Sequence, residues 1–143
     1  MKTILLSGPT GFLGANLLNS LLEYGFNVII LIRNRSKLKK LKSIKKNYKL
    51  YNIDVDSIDS IFSKEKIDLV IHAATNYGRS SENFNDIIES NITFPTKILE
   101  SSIKNKVNTF INIDTSLNKN INYYSSSKPS GYSTHVYLNS FSK

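Results

Sequence analysis

Residues 3–14, Thr3-Ile-Leu-Leu-Ser-Gly8-Pro-Thr-Gly11-Phe-Leu-Gly14, decide how the rest of the chain is read. A short apolar run breaks into three glycines spaced every third residue, and an apolar-periodic stretch follows. Backbone approaches an anion closely only where no Cβ intervenes, and a helix starting just after a buried strand presents unpaired N–H groups and a positive dipole end. The pattern predicts a strand, a nucleotide-binding turn and a helix. Gly8 makes the tight turn, Gly11 admits a pyrophosphate and Gly14 lets helix pack on strand. A P-loop needs Gly-Lys-Ser/Thr at its end, whereas Ala15 and Asn16 follow Gly14, so phosphoryl-transfer chemistry drops out.

Downstream, short β-rich runs alternate with longer helical patterns. Residues 12–24 read as a helix with Leu13, Leu17, Leu18, Leu21 and Leu22 on its inner face and Gly25 closing it. Residues 27–32, almost wholly apolar, suit a strand covered on both faces. Further strands are expected over 48–53, 67–73 and 107–114, and helices over 57–64, with Asp56 as N-cap, and 82–104. Strands alternating with crossover helices imply an α/β fold, a Rossmann-type doubly wound parallel sheet whose ligand lies beyond the carboxyl ends of its strands. After Asp114 the pattern fails, and the sheet is expected to be truncated after its fifth strand. Residues 1–128 then form one NAD(P)-binding domain and 129–143 an irregular tail.

Composition narrows the chemistry. The 143 residues include no cysteine and two histidines, which excludes thiolate catalysis and disulfides and disfavours a metal site. No run approaches the roughly 18 apolar residues of a membrane span, and glycine and proline puncture the apolar start where a signal peptide would be unbroken. A cytoplasmic protein is expected. The formal charge of +8 would suit nucleic acid, yet much of it lies in residues 37–49, where Leu38, Leu41 and Ile44 recur at three-residue spacing. These lysines read as the wet side of a surface helix, and neither nucleic acid nor membrane is the expected partner.

The end of the second strand meets the adenosine ribose in such folds. There an acid accepts from the 2′-hydroxyl and a guanidinium pairs with a 2′-phosphate. This chain has Arg33-Asn34-Arg35 and no acid, which favours NADP(H) over NAD(H).

An ordered series follows the glycine motif: Asp54 after the third strand, His72-Ala73-Ala74 at the end of the fourth, Asn91 in the long helix and Asp114-Thr-Ser after the fifth. In this series the chain resembles the extended short-chain dehydrogenases/reductases, the NAD(P)-dependent epimerase/dehydratase group acting on nucleotide sugars. The resemblance runs from residue 3 to about 128 and implies a nucleotide-sugar epimerase, dehydratase or ketoreductase, of which this is the N-terminal, cofactor-binding portion.

By the resemblance, Gly8, Thr10, Gly11, Phe12, Leu13 and Gly14 form the coenzyme loop, and Asp54 takes the adenine amino group. Ala73 and Ala74 stay small where the nicotinamide side passes, and Asn91 has a polar task near the coenzyme. His72 reads as structural. The chemistry would rest on Tyr124 and Lys128, four apart, with Thr115 replacing the Ser or Thr that the family places where Ile113 stands. The cation lowers the phenol pKa so that tyrosinate exchanges a proton with the sugar, and the lysine also binds the coenzyme ribose.

Pro129 threatens the register of that pair, because a proline drives its predecessor out of the α region. The missing substrate domain and atypical tail suggest a truncated gene product with a frame shift near residue 128. A homodimer is one assembly the family pattern allows. Two alternatives stay open beside the enzyme: a non-catalytic NADP(H)-binding module or pseudoenzyme fragment, and nucleic-acid binding through the lysines.

Overall fold

The computed structural model describes residues 1–34, 38, 41–44, 47–78, 83–115, 122–128 and, by backbone alone, 135–138. Five parallel strands form the sheet: β1 (Thr3–Ser7), β2 (Asn27–Ile32), β3 (Lys49–Asn52), β4 (Leu69–His72) and β5 (Thr109–Asn112). With a sixth strand, β6 (His135–Leu138), the order is β3-β2-β1-β4-β5-β6, so the chain reverses direction across the sheet between β1 and β4. That is the switch point at which a doubly wound sheet opens a ligand crevice.

Side chains alternate along each strand and divide the core in two. Ile4 and Leu6 of β1 join Val28 and Ile30 of β2 against Leu18 and Leu22 of helix α1 (Phe12–Glu23). Leu5, Ile29 and Val70 face the other way, against Ile61 and Phe62 of α2 (Ile58–Lys64) and Ile98 of α4 (Phe94–Lys104). Burial on both faces is why β1 and β2 are almost wholly apolar.

Several expected elements take a different form. Leu13 is exposed rather than inward, because the inward side of the first turn of α1 is taken by the buried Gly14, which packs on Gly8. Ser57, not Asp56, caps α2 by accepting from Ser60 N, while the Asp56 carboxylate accepts from Asn52 N. In the lysine segment the described residues form turns, with Leu41 N donating to Leu38 O. Leu41 is buried, and Lys37, Lys39, Lys40, Lys45 and Lys46 lie outside the described residues, as does Arg35.

The single helix expected over 82–104 is three pieces: α3 (Phe84–Ile88), a π-helical turn (Glu89–Thr93) and α4. Its cause is Pro95, which has no N–H to donate and whose ring would strike the carbonyl four residues back, that of Asn91. The chain widens instead, and Phe94 N reaches back five residues to Glu89 O. Within the stretch expected to be irregular, His135–Leu138 forms β6, antiparallel to β5 with His135 opposite Asn112. The sheet thus continues past its fifth strand. No helix among the described residues is long and apolar enough to cross a membrane.

Candidate functional site

Gly8 follows β1 with φ of 73°, a conformation that only glycine adopts without strain. Its backbone also presses on the end of β4, where a Cβ at Gly8 would stand 2.5 Å from Ala74 N and 2.7 Å from Ala73 C. Gly14 sits so close to the turn that a Cβ would lie 2.0 Å from Gly8 O. Helix α1 therefore packs on the loop itself as well as on the strand. Gly11 differs from both: its φ is −71°, and a Cβ would meet only Gly8 O at an ordinary 3.5 Å. It caps α1 without a side-chain hydrogen bond, beside the exposed Phe12 and Leu13.

Beyond β2 and β3, Arg33 and Asp54 border a groove of about 830 Å³ that runs between α2 and α4. The Asp54 carboxylate accepts from Asn34 N at 2.6 Å.

At the end of β4, His72 is buried and its Nδ1 shares a 2.7 Å hydrogen bond with Ser7 Oγ on the neighbouring strand. Phe94 meets its ring edge-on at 5.7 Å. Burial, and then the nearby Lys128 ammonium, push His72 down to about 3, with a backbone hydrogen bond at Ala74 opposing them. The imidazole is neutral near pH 7, and its Nε2 has no partner among the described residues.

The π-turn aims Ser90 and Asn91 inward together. Asn91 Oδ1 accepts from Asn76 N at 2.8 Å and Thr75 Oγ1 at 3.3 Å, while Nδ2 donates to Asn76 O and Ser127 Oγ, each at 2.9 Å. Four bonds fill the amide and tie the loop after β4 to helix α5 (Tyr123–Ser127). Asn91→Ala would leave the Asn76 backbone and the Ser127 hydroxyl without this partner, a loss expected to cost about 3 kcal/mol. Urea unfolding reads it; a cost below about 1 kcal/mol would mean that the network does not hold the site together.

Helix α5 begins with a capping box in which Asn122 accepts from Ser125 N and Ser125 Oγ accepts from Asn122 N. It carries Tyr124 to a cleft of about 310 Å³ that Thr115, Tyr77 and Tyr123 also line. The Tyr77 and Tyr124 rings lie 4.8 Å apart. The helix ends at Ser127, Lys128 is extended with ψ of 153°, and its Nζ donates to Ile113 O at 3.2 Å. Pro129 accounts for this, since a residue before proline avoids the α region. The site residues thus gather at the carboxyl ends of the strands, with Thr115 and Tyr124 on one cleft and Lys128 apart from it. Sequence reading missed Ser7, Thr75, Asn76 and Tyr77; the one signal that would have found the inward turn is Pro95, four residues after Asn91.

A glycine turn against the switch point of a parallel sheet, with polar groups converging at the strand ends, defines a Rossmann-type nucleotide-binding domain. The chain belongs to the NAD dependent epimerase/dehydratase family, whose pattern matches residues 4–128. It is 30% identical over 124 residues to CDP-abequose synthase of Salmonella muenchen, covering 86% of this chain and 41% of that protein. With dTDP-D-glucose 4,6-dehydratase of Dictyostelium discoideum it is 32% identical over 127 residues, 80% of this chain and 29% of the other. Among solved structures, UDP-glucose 4-epimerase of Thermotoga maritima, crystallised with UDP-glucose, superposes with a TM-score of 0.75 at 24% identity. The match covers 88% of this chain and 47% of that one. The Bordetella bronchiseptica enzyme WbmH in complex with NAD+ gives 0.76 at 19% identity, over 90% and 50%. The chain spans about two-fifths of the length of the CDP-abequose synthase it matches.

Proposed function

We propose that this chain is the coenzyme-binding portion of a nucleotide-sugar epimerase, dehydratase or ketoreductase and that it prefers NADP(H). The observation that carries the reading is Gly11. Nothing among the described residues requires a glycine there, whereas Gly8 and Gly14 are demanded by contacts inside the fold. A position kept bare on the outer side of a helix start suits the close approach of a pyrophosphate.

In this reading Gly8, Thr10, Gly11, Phe12, Leu13 and Gly14 form the phosphate cradle. The adenosine half lies toward Arg33 and Asp54, with the Asp54 carboxylate accepting from the adenine amino group and the Arg33 guanidinium pairing with a 2′-phosphate. Ala73 and Ala74 give the nicotinamide half room, and Asn91 acts by holding the loop after β4 and α5. NADP(H), when bound, supplies hydride exchange. Tyr124 is the group that gives or takes a proton at a sugar hydroxyl or carbonyl, with Thr115 hydrogen-bonding the same oxygen across the shared cleft. Lys128 serves the coenzyme ribose once its ammonium leaves Ile113 O.

A ligand at a hundred times its Kd stabilises the fold by about 3 kcal/mol. Thermal unfolding with NADPH and NADH is therefore expected to show a rise of several degrees, larger with NADPH. A compact chain whose melting temperature ignores both at millimolar levels would refute the proposal. The position of Lys128 favours a second reading, coenzyme binding without turnover. NADPH-dependent reduction of a 4-keto nucleotide sugar that disappears in Tyr124→Phe would rule that one out.

A further inference from the structure

We infer that Asn34, Asn52 and Asp54 form a positioning ring that sets the coenzyme preference of this chain by holding Arg33 at the ribose end of the site; the inference rests on the role proposed for Arg33. Strand β2 ends at Ile32, and the last ladder bond here runs from Ile53 N to Ile32 O at 2.9 Å. Beyond it, three further hydrogen bonds fix the backbone. Asn34 N donates to Asp54 Oδ2 at 2.6 Å, Asn52 Nδ2 donates to Asn34 Oδ1 at 2.6 Å, and Asp54 N donates to Asn52 Oδ1 at 3.1 Å. They close a ring immediately after Arg33.

The ring is exposed to solvent, where hydrogen bonds contribute little net stability because water replaces them at small cost. What it does achieve is local: the residue after Arg33 is tied to the next strand by both its backbone and its side chain. A guanidinium carried on a fixed stem loses less freedom when it pairs with a phosphate, and that pre-organisation appears as affinity. The ring also works against the other coenzyme. Asn34 Oδ1, one residue beyond Arg33, is engaged by Asn52 Nδ2, and this acceptor is then not offered to a 2′-hydroxyl. Attraction of one ligand and withdrawal of a partner from its competitor are the two halves of specificity.

The test is the ratio of Kd values for NADPH and NADH, measured by calorimetry on the full chain and on Asn34→Ala, Asn52→Ala and Arg33→Ala. Wild type is expected to favour NADPH by about tenfold or more. Asn34→Ala and Asn52→Ala are each expected to weaken NADPH about fivefold while leaving NADH unchanged or tighter. Combined with Arg33→Ala, neither should move the ratio further. Equal weakening of both coenzymes, or no change in either, overturns the ring. A wild type without preference overturns the role of Arg33 and the ring with it, whereas a preference that survives both asparagine variants overturns the ring alone. Asn34 is exposed, so its variant keeps the question decidable should Asn52→Ala fail to fold.

Discussion

Gly11→Ala is expected to leave the fold standing and weaken coenzyme binding sharply, while Gly14→Ala, three residues on, is expected to damage the fold itself. Alanine at Gly14 would gain about 1 kcal/mol of helix propensity over glycine. The new Cβ, however, would stand 2.0 Å from Gly8 O and 2.8 Å from Gly8 C, both backbone atoms that no rotamer change can move. Either α1 or the turn must shift, at a cost of about 3 kcal/mol that outweighs the propensity. Against the roughly 5–15 kcal/mol that holds a domain together, this is a large fraction, and a lower urea midpoint would report it. At Gly11 the same methyl finds ordinary contact and an allowed backbone, so the stability cost is about 1 kcal/mol at most, the weaker capping of alanine. A phosphate approaching that amide would meet the methyl directly, and coenzyme affinity is expected to fall about a hundredfold, near 3 kcal/mol. Affinity kept within about threefold in a folded Gly11→Ala chain would remove the glycine turn from the coenzyme site.

The contrast shows why this turn could be read from the sequence while much around it could not. Gly8 and Gly14 each answer a local demand of packing, and the apolar runs of β1 and β2 follow from burial on both faces, so fold class and glycine turn are written in adjacent residues. Asn91 is different. Its residue type hinted at a polar task, but its direction depends on a widened turn that Pro95 imposes on a pattern otherwise periodic as one helix. The extended backbone of Lys128 at the end of α5 is legible from Pro129, whereas its bond to Ile113 O depends on how α5 docks. Strand β6 lies at the other extreme. Four residues carry no readable period, and their pairing is decided by the open edge of β5 rather than by their own composition. The ring at Asn34 joins residues 18 and 20 positions apart through contacts that no spacing rule describes.

Acidification is expected to destabilise the chain from pH 6.5 downward, and His72 is the reason. Its imidazole falls from the ordinary 6.5 to about 3 in the fold, through burial first and the Lys128 charge second. Below pH 6.5 the unfolded chain takes up a proton at this residue and the native chain does not, so the unfolded state is favoured by about 1.4 kcal/mol per pH unit. The stability contributed by the neutral ring is complete above pH 6.5 and is lost progressively toward pH 3, reaching about 3 kcal/mol at pH 4. Glu65 also weakens the fold in acid, since hydrogen bonds from Tyr51 and Lys49 hold its carboxyl low, but that loss begins only below about 4.5. The interval between pH 6.5 and 4.5 therefore lies above the loss from Glu65, and a His72 variant separates this residue from the chain's other histidine, His135. His72→Asn keeps a polar group that Ser7 can bond and cannot gain the charge, so its unfolding free energy should be flatter across that interval than that of the parent. Parallel curves for the two proteins would show that His72 takes up its proton alike in the folded and unfolded chains, and that the fold does not hold the ring neutral.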